Sequence, residues 1–263
     1  MLKKRMIFTL LFHNGDYMLS RNFKLQKVGN LDWLKKNYNF TKISFAIDEL
    51  IVLNVTRSQN KETDLFLSHL RELTKMCFIP IASGGGIISY DYAKALLRNG
   101  ADKVVVNTSL ALDEKLIYKL AEEFGSQCIV ASVDIKTEGN NYRVWINNGS
   151  TRINSTAEDY LKKIATLPIG DIYFNSIDKD GTGQGYLTDI LGLLPKNLEI
   201  PIIIAGGAGK YQHLAEGLKN NRVDAVATAH LFNFVGNGLI NARNNLLDEG
   251  FELAKWDYNK SLK

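Results

Sequence analysis

Eight short apolar runs, each bounded by turn residues, recur along the chain: Met6–Phe12, Leu50–Val55, Phe78–Ala82, Lys103–Asn107, Cys128–Asp134, Ile172–Ser176, Pro201–Ala205 and Ala225–Ala229. Between them lie segments whose apolar positions fall three or four apart, the clearest being Tyr92–Asn99, Glu114–Phe124, Ala157–Thr166 and Tyr211–Lys219. Near-continuous apolar strands alternating with amphipathic helices point to a parallel sheet covered by helices. Eight units in 263 residues is about 33 residues each, the unit size of a (β/α)8 TIM barrel. A doubly wound open sheet is the rival, though it usually carries fewer strands. Asn141–Ser150, where Tyr142, Val144 and Ile146 alternate, predicts a small hairpin inserted after the fifth strand.

An internal repeat favours the barrel. The segment Ile79-Pro80-Ile81-Ala82-Ser83-Gly84-Gly85-Gly86 returns 121 positions later as Ile200-Pro201-Ile202-Ile203-Ile204-Ala205-Gly206-Gly207. Gly100-Ala101-Asp102-Lys103-Val104-Val105-Val106 returns 122 positions later as Arg222-Val223-Asp224-Ala225-Val226-Ala227-Thr228. Two duplicated half-barrels, about 1–125 and 126–250, explain this within one domain spanning 1–263. They also predict two related sites at the same end of the barrel.

Composition excludes several classes. With 45% hydrophobic and 23% charged residues and only four prolines, the chain can bury a large core and is neither disordered nor fibrous. The net charge of +4 suits a phosphorylated small molecule or an acidic partner, not a dedicated nucleic-acid surface. Trp33, Trp145 and Trp256 show no spacing for stacked bases. Cys77 and Cys128 form neither a CxxC pair nor a His/Cys cluster, so no metal site and no disulfide framework is expected, and a reducing cytoplasm is. Lys3-Lys4-Arg5 before Met6–Phe12 imitates a leader, but the run is short and meets His13-Asn14-Gly15-Asp16, which favours a buried first strand. No stretch approaches the roughly 20 apolar residues of a membrane span. His13, His69 and His213 read as surface residues, and the tail from Lys255 as partly frayed.

The chemistry-bearing residues cluster at expected strand ends. Ser83-Gly84-Gly85-Gly86 and Ala205-Gly206-Gly207-Ala208-Gly209 let backbone N–H groups approach a ligand closely, as at the phosphate sites of barrel enzymes. The next strand ends, Asn107-Thr108-Ser109 and Ala229-His230, would complete each pocket at a helix N-terminus. Tight turns are the alternative reading, but two clusters at repeated places favour a ligand with a phosphate at each end. The loop Ser176-Ile177-Asp178-Lys179-Asp180-Gly181-Thr182-Gly183 could hold a metal or a sugar hydroxyl, or be a solvated turn. Asp134 closes the fifth strand, where barrel walls would desolvate a general acid or base; capping of the next turn is the alternative. Its counterpart by the repeat, at the first strand's end, is Leu11.

Over essentially its whole length the chain resembles the HisF family, the cyclase subunits of imidazole glycerol phosphate synthase. The resemblance rests on Lys4-Arg5, Ser83-Gly84-Gly85-Gly86-Ile87, Gly100-Ala101-Asp102-Lys103-Val104, Phe124-Gly125-Ser126-Gln127-Cys128, Asp178-Lys179-Asp180-Gly181-Thr182 and Ala205-Gly206-Gly207-Ala208-Gly209. It implies a barrel that docks with a HisH-like glutaminase, takes ammonia through its interior and needs no cofactor. It assigns phosphate binding to Gly86, Asn107 and Thr108 in one half and to Asp180, Gly181, Gly207, Ala229 and His230 in the other. It places an ammonia gate at Arg5, Glu49, Lys103 and Asp171, the last replacing a glutamate, and puts Asp102 at the glutaminase interface.

Departures from the family pattern are as informative. Of the family's two opposed aspartates only Asp134 remains, because the other position is Leu11. Leu19 replaces a functional lysine, Asn54 an aspartate, His230 a serine of the second phosphate site and Ile88 a polar residue. Losing one of two proton-transfer groups costs on the order of 10²–10⁴ in rate. The pattern is similar to divergent HisF-like proteins of surface-polysaccharide or flagellar-glycan loci, which implies a subunit passing ammonia to a sugar amidotransferase that turns an acetamido group into an acetamidino group. A genuine cyclase of histidine biosynthesis is the first alternative, a non-catalytic regulatory barrel the second.

Overall fold

The structure is a computed structural model describing residues 3–38, 40–56 and 63–255. In chain order, β1 (Arg5–His13) leads into a hairpin of β2 (Asp16–Arg21) and β3 (Lys24–Asn30), then α1 (Leu31–Asn37) and α2 (Phe40–Ile43). Next come β4 (Glu49–Asn54), α3 (Thr63–Met76), β5 (Ile81–Gly84), α4 (Tyr90–Arg98), β6 (Lys103–Val106), α5 (Thr108–Leu112) and α6 (Glu114–Phe124). The remainder is β7 (Ile129–Glu138), β8 (Asn141–Ile146), β9 (Thr151–Arg152), α7 (Ala157–Ile164), β10 (Asp171–Ser176), β11 (Ile202–Ala205), α8 (Tyr211–Leu218), β12 (Ala225–Thr228) and α9 (Gly238–Asp248).

Eight parallel strands pair in the order β10-β11-β12-β1-β4-β5-β6-β7, and β7 pairs back onto β10, so the sheet closes into a (β/α)8 barrel. Side chains alternate along each strand between two apolar layers. Outward residues such as Met6, Phe8, Leu10 and Phe12 join the cluster under the helices, while inward ones such as Ile7, Ile51, Val105, Val130, Tyr173, Ile203 and Ala225 fill the bore. Serine, threonine and aspartate caps begin the covering helices: Ser89 Oγ accepts from Tyr92 N–H, Asp113 from Leu116 N–H and Thr156 from Asp159 N–H. Among the described residues no helix is long and apolar enough to cross a membrane.

Several expectations shift. The third strand begins at Ile81, not Phe78, which lies outside it and is 88% exposed. The Ile81 N–H is taken by Asp102 Oδ2 at 2.8 Å, which anchors the strand start there. The hairpin expected at Asn141–Ser150 is present, with β8 returning to β9 at Thr151–Arg152, but β8 also pairs with a long extension of β7 across the turn Gly139-Asn140. The turn Asn14-Gly15, a strong hairpin signal whose residues both take positive φ, joins β1 to β2, a pairing absent from the sequence reading; the β2–β3 hairpin that follows turns at Asn22-Phe23, also at positive φ but without a glycine. After β10 comes a 3-10 turn at Asp189–Leu193 and no α-helix. His213 is buried, not superficial, because its Nδ1 accepts the Gly209 N–H at 3.2 Å, and His69 is half-buried against Phe12 and Tyr17. Trp256 and the tail beyond Lys255 lie outside the described residues.

Candidate active site

Both ends of the bore are polar. At the strand starts, the first inward residues of β1, β4, β6 and β10 are Arg5, Glu49, Lys103 and Asp171, and they form a closed ring. Arg5 meets Glu49 at 3.1 Å and Asp171 at 2.7 Å, while Lys103 meets Glu49 at 3.2 Å and Asp171 at 2.8 Å. Each charge therefore touches two opposite charges. Both carboxylates are buried. Burial works against the charge on Arg5 and Lys103, but the neighbouring Glu49 and Asp171 outweigh it, and both cations are held above their ordinary pKa. Burial instead dominates at Glu49, whose pKa is raised against the pull of Lys103 and Arg5.

Asp102, exposed beside this end, has a structural task in holding Ile81. Asp224 does the same for Ile202 N–H at 2.9 Å, and Asp48 for Met6 N–H at 2.7 Å. Asp48 is fixed in turn by the buried Arg243, at 2.9 and 3.0 Å.

The strand ends enclose a cavity of about 480 Å³. Every residue expected to hold phosphate lines it: Gly86, Asn107 and Thr108 on one side, Asp180, Gly181, Gly207, Ala229 and His230 on the other. Gly85 and Gly206, 121 positions apart, both take positive φ. A Cβ at Gly85 would fall 2.0 Å from the Asn54 carbonyl oxygen and one at Gly206 2.6 Å from that of Ser176, so both turns demand glycine.

Asp134 lies buried in the same cavity. Asn107 Nδ2 donates to one carboxylate oxygen at 3.2 Å and Asn175 Nδ2 to the other at 3.5 Å. Burial outweighs these bonds and pushes the pKa up to about 7, the range in which a carboxyl group can both hold and release a proton. In the strand order β1 stands four places from β7, diametrically across the barrel. Leu11 occupies that wall beside Leu53 and Leu19, so the acid at Asp134 faces apolar surface.

Asp180 is also buried, which raises its pKa. Its Oδ2 accepts from Ser20 Oγ and from Phe23 N–H at 3.0 Å, while its backbone oxygen accepts from Asn22 N–H. Its carboxylate thus fastens the tip of the β2–β3 hairpin over the cavity. Sequence reading offered no signal for Asn175 or Ser20, which matter only through these tertiary bonds. Among the described residues no cluster of His, Cys, Asp or Glu could hold a metal ion.

The class defined here is a (β/α)8 barrel with a charged ring across the strand starts and a glycine-flanked cavity holding two buried acids, Asp134 and Asp180, at the strand ends. Residues 32–236 match the family described as histidine biosynthesis protein. Across 257 residues, 97% of this chain and 95% of the relative, the chain is 42% identical to a protein of Parasynechococcus marenigrum (strain WH8102) provisionally named imidazole glycerol phosphate synthase subunit hisF2. It is 35% identical to the imidazole glycerol phosphate synthase subunit HisF of Chlorobium phaeovibrioides, over 95% of this chain and 98% of that one. The figure is also 35% for the HisF subunit of Chloroherpeton thalassium, over 96% and 99%. The chain belongs to the HisF branch of the histidine-biosynthesis barrel family.

Proposed function

We propose that this barrel is the ammonia-accepting synthase subunit of a glutamine amidotransferase complex, acting on a sugar and not as a cyclase. A glutaminase docks at the strand-start end, near Asp102, and its ammonia enters through the ring of Arg5, Glu49, Lys103 and Asp171. The bore beyond is filled by Ile7, Ile51, Val105, Ala225 and Ala227, an apolar interior that favours neutral ammonia over ammonium. The product end serves acetamidino formation on a surface or flagellar glycan sugar: the amide oxygen is exchanged for NH after a sugar amidotransferase partner activates it with ATP. The single observation that carries this reading is Leu11 across from Asp134 while all four ring residues keep their pairing. A cyclase needs an acid and a base; a conduit does not. We also read the barrel as two duplicated half-barrels, each contributing one glycine cluster to the mouth.

The test is reconstitution with the glutaminase and the sugar amidotransferase, following glutamine-dependent acetamidino formation by mass spectrometry. Lys103→Ala should let glutamine be hydrolysed while the product is lost. Unchanged coupling in that variant would favour a regulatory barrel. The alternative reading, a histidine-pathway cyclase, is favoured by the names of the relatives at 35% identity.

A further inference from the structure

Where the bore opens into the cavity, two hydroxyl groups meet. Tyr173 points inward from β10 and Thr9 from β1; both are buried and both line the cavity. Thr9 lies two residues nearer the charged ring than Leu11, and Tyr173 two nearer than Asn175, so the pair forms the cavity floor. Their strands stand three places apart in the barrel, and the tyrosine reaches across the bore to bring its oxygen 3.4 Å from Thr9 Oγ1. That spacing is long for a bond between hydroxyl groups, which is usually about 2.7–2.8 Å. One such bond uses one of the pair's two hydrogens. The other has no acceptor among the described residues, and burial raises the phenol's pKa, which keeps its proton in place.

Above the pair lies an apolar wall. Leu11 and Leu53 are register partners on β1 and β4, and Leu19 comes from β2, whose Met18 pairs with Leu11. All three leucines line the cavity and none is fully buried, so each keeps apolar surface toward open space. Three together in a concave wall, beside a few placed polar groups, make a pocket for an apolar substituent. Amide side chains occupy other parts of the lining: Asn107 and Asn175, which donate to Asp134, and the exposed Asn147 and Asn148. Amides donate and accept, as sugar hydroxyl groups do.

We infer that the cavity floor is the recognition pocket for an acetamido group: its methyl lies on Leu11 and Leu53, its carbonyl oxygen accepts from the Tyr173–Thr9 pair, and the sugar ring sits outward among the asparagines. A methyl and an acceptor side by side on one small group answer both features. A hydroxyl group would leave the leucines uncovered, and an alkyl chain would leave the buried hydroxyl hydrogen unpaired. The inward positions of β1 run Arg5, Ile7, Thr9 and Leu11, so the pocket lies where the bore from the ring ends. This rests on the sugar-substrate reading and goes beyond it by naming the residues that choose the sugar: Tyr173, Thr9 and Leu11 set specificity.

The test is saturation-transfer NMR and titration with N-acetylglucosamine, N-acetylgalactosamine and N-acetylmannosamine, each beside its parent hexose. We expect at least one N-acetyl sugar to bind at least about tenfold tighter than its parent, the combined size of one covered methyl and one hydrogen bond. Its acetyl methyl should take the strongest saturation. Tyr173→Phe should cost that sugar about threefold to tenfold, the size of a hydrogen bond between uncharged groups, and leave the parent hexose unchanged. Thr9→Val should act in the same direction, and Leu11→Asn should cost about fourfold. Damage to the fold would weaken every sugar alike, so a selective loss with unchanged thermal unfolding isolates the pocket. Equal binding of N-acetyl sugars and hexoses, weaker saturation of the methyl than of the ring protons, or a Tyr173→Phe variant that keeps the full preference would each overturn the inference and leave a sugar substrate standing. Failure of all six sugars to bind would remove the sugar reading as well. Neither result bears on ammonia coupling, which Lys103→Ala tests separately.

Discussion

At the strand-start end of the bore, four charges satisfy one another in a closed ring with distances of 2.7 to 3.2 Å. At the strand-end mouth, the buried acid Asp134 faces Leu11 across the barrel. Both ends are built from inward positions of the same strands: β1 supplies Arg5 and Leu11, β10 supplies Asp171 and Asn175. The ring's one departure from the family pattern, Asp171 for a glutamate, keeps both ion pairs, whereas the departure at Leu11 removes an ionisable group from the mouth. The difference separates two jobs that a cyclase combines, admitting ammonia and transferring protons. On the proposed function, this chain keeps the machinery of the first.

The comparison can be broken or sharpened by substitution. Removing a ring charge has the largest expected effect. Glu49→Ala leaves Arg5 and Lys103 short of a partner in a buried setting, and urea unfolding should show a loss of about 3–5 kcal/mol. A loss below about 1 kcal/mol would mean that the ring is solvated and not a lock.

Asp134→Asn is expected to act in the opposite direction. The folded-state pKa of Asp134, about 7, lies above its ordinary value of 3.8, so the folded protein binds the proton more tightly than the unfolded chain. Stability contributed by that proton is full below about pH 4 and lost as pH rises through 7. The asparagine variant should therefore be more stable at pH 8, on the order of a few kcal/mol, with the advantage shrinking toward pH 4. Thermal melts across that range check it; an advantage that grows toward acid would contradict the burial argument.

Leu11→Asp restores the second acid, but Leu19 and His230 still differ, so cyclase turnover should change by less than about tenfold. Full activity from that one change would show that the mouth lacks only a single group. The smallest effect is expected at the braces: Asp102→Ala and Asp224→Ala each remove one hydrogen bond to a strand start, and each should cost about 1 kcal/mol. Equal losses would support their equivalence in the two halves. A loss of glutaminase binding in Asp102→Ala alone would add the interface role.

Much of this was legible in the sequence because it is periodic. Arg5, Ile7, Thr9 and Leu11 lie two apart, so the barrel fixes which of them share the bore, and the glycine clusters reveal their turns by composition. Bounds were harder: Phe78 is apolar enough to join a strand, and only the Asp102 bond to Ile81 shows why pairing begins three residues later. The different surroundings of the two glycine turns were not legible. They depend on Asn147 closing on Thr108 and on Lys179 packing against Gly207, contacts between segments far apart in sequence. The hairpins differ again: Asn14-Gly15 is an explicit signal for the β1–β2 turn, whereas the β2–β3 turn at Asn22-Phe23 carries no glycine to announce it.

The most direct test of the separated roles is the cyclase reaction itself, run with purified protein, ammonium salt and the two-phosphate substrate of imidazole glycerol phosphate synthase, which bypasses any partner. Turnover at least about a hundredfold below that of a working HisF subunit is expected. A normal rate would contradict the account, because the chain would then be doing with Asp134 alone what Leu11 should prevent.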